Sequence, residues 1–334
     1  MRNRGEKQES PPVSVSAMIG SAYGPARSSI ARSAMNKTGR DALGVQGGAD
    51  PLLVHVPGFV VRAVGQSNPL ASASNKLTLT LAPDCDMAGG SNVTVSGLTG
   101  TQTADSDGLE VVVTAGSNIS TAAWWRQGDG VLTLRVEGGG LVNGSVYAVT
   151  VRVRNGAVGQ ASPSVSIKAT VKAAYGVHDG EGEEQAIVKP GSAALGVEGG
   201  ADPLLVHAAG FRATLLGQSS PLASASNTLT LTLEPDCDMA GGSNVTLSGL
   251  TQTQTDDSES LAVSSSPEGV FGETAGWSKG SGQLLLRVLS EGLKNGSSYR
   301  VWFVVQNPAS SQASPGVSIQ ASVKAMEGLY AGYG

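Results

Sequence analysis

The chain contains one long segment twice. ALGVQGGADPLLVH, starting at Ala42, returns as ALGVEGGADPLLVH, starting at Ala194, an offset of 194 − 42 = 152 residues. The offset holds without a gap at Cys85/Cys237, Trp125/Trp277, Arg135/Arg287, Tyr147/Tyr299, Asn155/Asn307 and Pro163/Pro315. Between residues 67–103 and their copy only positions 68, 76, 82, 95 and 100 differ, so 37 − 5 = 32 of 37 residues are identical. Stretches this alike adopt one fold, and each body, residues 42–173 and 194–325, has the length of an ordinary domain. Such a repeat also predicts a quasi-linear chain whose units touch only their neighbours.

Applied backwards, the same offset aligns Arg2, Asn3, Gln8, Ser10, Pro11, Val13, Ser14, Ala17, Tyr23 and Gly24 with Arg154, Asn155, Gln160, Ser162, Pro163, Val165, Ser166, Ala169, Tyr175 and Gly176. Residues 1–22 therefore read as the truncated tail of a preceding repeat, and the chain is expected to belong to a longer array. Residues 23–41 read as a linker, 174–193 as a flexible acidic linker and 326–334 as a tail. The second linker, centred on HDGEGEEQ with Pro190 near its end, is too polar and Gly-rich to bury a core of its own.

Within each body the apolar period is two. Leu77, Leu79 and Leu81 alternate with Thr78 and Thr80; Leu132, Leu134 and Val136 alternate with Thr133 and Arg135; Tyr147, Val149, Val151 and Val153 alternate with Ala148, Thr150 and Arg152. Val165–Val171 repeats the pattern, Val93 and Val95 flank Thr94, and Val60–Val64 and Leu109–Val113 add two further runs. One apolar face and one Thr/Ser/Arg face is the mark of a half-buried antiparallel strand. About seven such strands separated by Gly, Pro, Asn and Asp clusters predict an all-β chain. Two tandem antiparallel β-sandwich domains of immunoglobulin-like type, joined by a flexible linker, are the expectation, with a closed barrel as the alternative. Each copy holds a single Cys, so the inter-sheet disulfide of antibody domains is ruled out.

The order LTLTLxPDCDMAGGSNVTxSGLT, a Trp, a (V/Q)LxLRV strand, NGSxY and NxxxxQASPxVSI resembles the β-sandwich repeats of very large algal and protist cell-surface proteins. The resemblance covers both bodies. It implies an extracellular or cell-surface array and carries no catalytic residue across.

Few motifs bear chemistry. Lys+Arg is 22 against Asp+Glu 27, a net charge of −5, which argues against a nucleic-acid partner. No apolar run reaches the length of a membrane span, so no membrane insertion is expected within this segment. Asn92, Asn118, Asn143, Asn244 and Asn295 head Asn-x-Ser/Thr sequons and are candidate N-glycosylation acceptors, two pairs of them recurring between copies. PDCDM places Asp84 and Asp86, and Asp236 and Asp238, around a thiol; with no third acid beside them, an Asp-stabilised turn is favoured over a calcium site. Cys85 and Cys237 occupy equivalent sites in different domains, which leaves buried free thiols or an interdomain or intermolecular bond. His55 and His207 sit in ADPLLVH with no nucleophile at catalytic spacing, and read as packing or solvent-facing side chains. Trp125 and Trp277 read as core plugs; Trp124, replaced by Gly276 in the second copy, would serve a carbohydrate-stacking face in the first copy alone.

These features favour a non-catalytic structural or adhesive segment with no cofactor and no bound metal. Its expected partners are other copies of the repeat, or cell-surface and matrix glycans and proteins. The alternatives are an array of carbohydrate-binding modules and a non-catalytic appendage of a secreted enzyme.

Overall fold

A computed structural model describes residues 5–20, 27–172 and 179–324. The described residues form strands, turns and bridges, with no helix. An N-terminal hairpin, β1 (Ser14–Gly20) and β2 (Arg27–Ala34), comes first. Repeat 1 contributes β3 (Phe59–Gln66), β4 (Ser74–Pro83), β5 (Asn92–Ser96), β6 (Ser106–Val113), β7 (Ala122–Arg126), β8 (Val131–Arg135), β9 (Tyr147–Arg154) and β10 (Ser166–Val171). Two short strands follow, β11 (Gly180–Glu181) and β12 (Gln185–Ala186). Repeat 2 then gives β13 (Phe211–Gln218), β14 (Ser226–Pro235), β15 (Asn244–Ser248), β16 (Ser258–Ser266), β17 (Thr274–Ser278), β18 (Gln283–Arg287), β19 (Tyr299–Gln306) and β20 (Ser318–Ser322).

Each repeat is an antiparallel β-sandwich of eight strands. The spatial order β10-β5-β8-β7-β6-β9-β4-β3 recurs as β20-β15-β18-β17-β16-β19-β14-β13. The two layers share one strand. β6 pairs with β7 through Ser106–Glu110 and with β9 through Val111–Val113, so it turns the corner between the sheets. The period-two residues fill the space between: Leu77, Leu79, Leu81, Val93, Val95, Leu132, Leu134, Val149, Val151 and Ile167 belong to one core. Each contributes roughly 1.5–3 kcal/mol on burial. Their outward neighbours pair across the sheet, as Thr78 Oγ1 does with Thr150 Oγ1 at 3.1 Å. Tyr147 and Tyr299 open β9 and β19, and each hydroxyl accepts the N–H five residues upstream, of Val142 and Lys294. That is the corner tether of immunoglobulin-like sandwiches. Gly97 follows β5 at φ +89, where a Cβ would stand 2.1 Å from Ser164 O, so no larger residue fits.

The strand the sequence does not announce is β7. Its AAWWR has no alternation of apolar and polar residues, yet Ala123 and Trp125 point into the core while Trp124 points out. Trp125 and Trp277 are buried plugs whose indole N–H groups donate to Thr103 O at 2.9 Å and Thr255 O at 3.1 Å.

The inter-repeat segment differs from the expected free linker. β11 and β12 pair with β10, Val188 bridges to Ala63 of β3, and Ile187 joins the repeat 1 core. The segment thus runs between the two edge strands of the sandwich, β10 and β3, and closes the gap. Its polar composition conceals a single apolar anchor, and its main chain supplies sheet bonds whatever the side chains. Part of that linker, residues 174–178, lies outside the described residues, as does the 326–334 tail.

The N-terminal hairpin repeats this arrangement in register. Ser14↔Ala34 and Val15↔Ser33 match Ser166↔Ala186 and Ile167↔Gln185, each position shifted by 152. β1 therefore pairs with the strand of its own linker, β2. The hairpin corresponds to β10 and its linker strands, and Val15, Met18, Ile19 and Ile30 are exposed on it.

Candidate functional site

The site that emerges is the joint where repeat 2 enters repeat 1. Its centre is Gln66, at the end of β3. The side-chain Nε2 donates to Gly200 O at 2.9 Å and Leu205 O at 2.8 Å, and Oε1 accepts the N–H of Leu204 at 2.8 Å. Both N–H groups of this buried amide and one acceptor site of its oxygen are thus spent on residues 200–205 of the next repeat. Two asparagines hold the glutamine. Asn75 Nδ2 donates to Gln66 Oε1 at 2.7 Å and to Asn155 Oδ1 at 2.9 Å, and Asn155 Nδ2 donates to the carbonyls of Asn68 and Leu70. A fully satisfied buried amide network fixes one geometry, because any slip orphans a donor or acceptor at about 1–3 kcal/mol.

Main chain and apolar contacts extend the joint. Gln66 N–H donates to Ala201 O, Ala71 N–H to His207 O, His207 N–H to Pro69 O, and Val206 and Gln160 exchange both bonds. Gln160 Nε2 donates to Leu204 O and Ser162 Oγ to Pro203 O. Leu204 is part of the repeat 1 core, and Leu70 packs with Val197 and Cys237 of repeat 2. Gly200 is needed for its compactness: a Cβ there would lie 2.7 Å from Ala194 O. Leu204 adopts φ 54, a conformation that costs a branched residue energy and persists where its surroundings over-determine it.

The His, Asp and Cys that the sequence places apart in each copy come together behind this segment. His55 Nε2 lies 3.0 Å from Asp84 Oδ1, which also accepts Gly58 N–H at 2.8 Å. In repeat 2 the corresponding His207 and Asp236 atoms are 3.1 Å apart, without hydrogen-bond alignment, and Gly210 N–H donates to Asp236 at 2.7 Å. The ligand atoms of His55, Asp84 and Cys85, and of His207, Asp236 and Cys237, lie within 4.8 Å of one another, close enough to hold a cation. The thiols are poor ligands as they stand. Burial, then the charges of Asp84 and Asp86, pushes Cys85 up to about 12; burial and Asp236 push Cys237 to about 12 as well. In each repeat the protonated thiol and the carboxylate beside it form a small hub that accepts a backbone donor, Gly58 N–H at Asp84 and Gly210 N–H at Asp236. Asp86 and Asp238 do a different task, accepting Asn143 N–H and Asn295 N–H at 2.9 Å each, which is the turn role the sequence favours.

Both cysteines are free and buried, so an interdomain or intermolecular bond would first require the thiol to be uncovered. A thiol reagent at pH 8 is expected to label neither residue in the native chain and both after unfolding; fast native labelling would refute the packing of the hub. The raised folded value also sets a pH window. The protonated thiols contribute their full stability below the ordinary value of 9.0, and lose it as pH rises from there toward about 12.

The sequon asparagines are spread over the surface. Asn143 Nδ2 donates to Gly44 O at 2.7 Å, Asn295 Nδ2 to Gly196 O at 2.5 Å and Asn118 Nδ2 to Gly140 O at 3.0 Å, so each is engaged through the nitrogen a glycan would take. Asn92 and Asn244 are half-buried at the first positions of β5 and β15, on the outer face. Trp124 is 40% exposed.

Nothing in the local sequence around Gln66 and Asn75 marks them, although they recur as Gln218 and Asn227. The available signal lies in residues 1–22, which align with the end of repeat 1. Gln8 and Ser10 survive there, and they bind Leu52 O and Pro51 O as Gln160 and Ser162 bind Leu204 O and Pro203 O.

No family model matches the chain, and no curated protein matches it. Among solved structures it is similar to a type II cohesin dyad from the adaptor ScaA scaffoldin of Acetivibrio cellulolyticus (11% identity, covering 80% of this chain and 88% of that one, TM-score 0.22). It is also similar to the collagen adhesin of S. aureus (9%, 80% and 87%, TM-score 0.22) and to a serine-rich repeat protein of Streptococcus agalactiae (8%, 79% and 93%, TM-score 0.20). At these scores the paths do not superimpose as wholes, and the assignment to tandem β-sandwich domains stands on the strand topology itself.

Proposed function

We propose that the chain is a non-catalytic spacer segment of a cell-surface or extracellular array, in which each repeat is locked to the next at a fixed angle. The observation that carries this reading is Gln66, which a repeat joined by a loose tether would have no cause to bury against its neighbour. A chain of such joints transmits orientation along its length, as a stalk or an adhesive presentation arm must. The outer faces are rich in Thr and Ser and low in charge, which suits a solvated rod, and Asn92 and Asn244 are the sequons best placed to carry glycans on it. Asp84 and Asp236 accept the N–H of Gly58 and Gly210, and the thiols beside them are held protonated, which favours a structural over a catalytic role.

Two measurements test the reading. Antibody raised against the chain should label intact, unpermeabilised cells of its source, and brief external protease should remove the signal; label that requires permeabilisation overturns the surface assignment. NMR relaxation of the purified chain should show repeats 1 and 2 tumbling as one body; separate correlation times would overturn the fixed joint.

A further inference from the structure

In sequence, PDCDM offers two acids and a thiol with no further ligand beside them; the fold adds a histidine. The segment entering β3 carries His55 to the turn that leaves β4, and the segment entering β13 carries His207 to the turn that leaves β14. In each repeat one ring nitrogen, one carboxylate oxygen and one sulfur then lie within 4.8 Å of one another. The His–Asp pairs, at 3.0 Å and 3.1 Å, already have the spacing of neighbouring ligands on one ion. With bond lengths of about 2.0–2.3 Å, two ligands of a tetrahedral zinc ion stand roughly 3.3–3.6 Å apart, so each set has only about 1 Å to draw in.

Repeat 2 adds a second observation. His207 Nε2 is buried and, among the described residues, makes no hydrogen bond, because its approach to Asp236 Oδ1 lacks the alignment for one. A buried ring nitrogen left unpaired while facing a carboxylate calls for an explanation, and a cation between the two supplies it. The carboxylates are held from behind, Asp236 by Gly210 N–H and Asp84 by Gly58 N–H, as outer partners hold the ligands of a metal. Solvent reaches the set from the polar side: the His207 and Asp236 side chains are 26% and 25% exposed, and Cys237 is buried beside them. Burial and the neighbouring Asp charges are what push both thiols up. A divalent ion placed between sulfur and carboxylate reverses that balance, and a coordinating thiol gives up its proton.

We propose that each repeat binds one divalent cation of the zinc class, on His55, Asp84 and Cys85 in repeat 1 and on His207, Asp236 and Cys237 in repeat 2. The neutral imidazole gives its Nε2 lone pair and the carboxylate one oxygen; the thiol releases its proton to water as the metal–sulfur bond forms. One carboxylate and one thiolate then meet the two charges of the ion, so no net charge is left half-buried. A mixed nitrogen, oxygen and sulfur set selects zinc over calcium and magnesium, which take oxygen ligands. Three protein ligands leave the fourth position to water. The ion pins the segment entering β3 or β13 to the turn leaving β4 or β14. In repeat 2 that segment is the one repeat 1 also holds, through the bonds of His207 N–H to Pro69 O and of Ala71 N–H to His207 O. The coordination rests on the three side chains alone and not on a surface location or a fixed joint, so either reading can fail without the other.

The test uses the full chain, reduced and stripped of metal with a chelator, then titrated with cobalt(II) as a coloured stand-in for zinc. The near-ultraviolet thiolate-to-cobalt band and the intense visible bands of a four-coordinate ion should grow together and saturate at two equivalents per chain. Added zinc should bleach them, whereas calcium or magnesium at the same concentration should leave them unchanged. His55→Gln and His207→Gln alter side chains that are partly exposed, so each should keep the wild-type circular dichroism spectrum; each should saturate at one equivalent, and the double variant should give no band. Cys237→Ser checks the set through another ligand and should halve the thiolate band. A wild type that gives no thiolate band overturns the proposal, as does a band that the double histidine variant retains in full or that calcium displaces.

Discussion

Replacing Trp125 with Ala should remove about 3–5 kcal/mol from the stability of repeat 1. The indole is the largest fully buried side chain of that core, and its loss also strips Thr103 O of its donor. Against a domain stability of roughly 5–15 kcal/mol, this is about a fifth of the total or more. Equilibrium denaturation followed by far-ultraviolet circular dichroism should split into two transitions, repeat 1 unfolding early and repeat 2, built on its own Trp277, close to its wild-type midpoint. Trp124→Ala, one residue away on the outer face, should shift the midpoint by about 0.5 kcal/mol or less. A comparable loss at both positions would show that β7 does not present alternate residues to core and solvent.

The second large effect concerns the joint. Gln66→Leu keeps the volume but leaves Gly200 O, Leu205 O and Leu204 N–H facing an apolar side chain, each orphan costing about 1–3 kcal/mol. Several kcal/mol of coupling should disappear, and the two repeats should tumble and unfold independently. Gln218→Leu is the internal control. The same substitution in the same network, on an open face, should cost about 1 kcal/mol, the net value of its single bond to Asn227. Equal losses at both positions would mean that Gln66 acts within repeat 1 rather than across the joint.

The contrast between these two glutamines shows where sequence reading succeeds and stops. Leu77, Leu79 and Leu81 declare a strand because burial on one face of a sheet leaves a period-two record in the residues themselves. The 152-residue offset declares the domains for the same reason: it is written along the chain. Contacts between elements far apart in sequence leave no such record. Gln66 and Leu204 are 138 residues apart, and neither has local context that distinguishes it from a surface polar and a loop apolar residue. β7 was hidden differently, since AAWWR carries an apolar residue on both faces. Ile187 was hidden by its neighbours, one anchor among glutamates and glycines. His55, Asp84 and Cys85 each stand out in the sequence, but their convergence depends on the turn after β4 meeting the strand entry before β3, and no spacing rule encodes that. The hint to the joint is the recurrence of Gln8 and Ser10 as Gln160 and Ser162, polar residues kept at the same offset outside the two bodies' strands.

The closure of repeat 1 by residues 179–207 has a consequence for how such a chain is made. Emerging from a ribosome N-terminus first, repeat 1 can pair its eight strands as soon as β10 is free, but the gap between β10 and β3 stays open until some thirty-five further residues (207 − 172 = 35) have been synthesised. At about 5–20 residues per second that is an interval of seconds in which the edge strands are bare. Repeat 1 is thus sealed by the birth of repeat 2, one unit behind translation, and until then its edge strands are the part of the chain open to stray pairing.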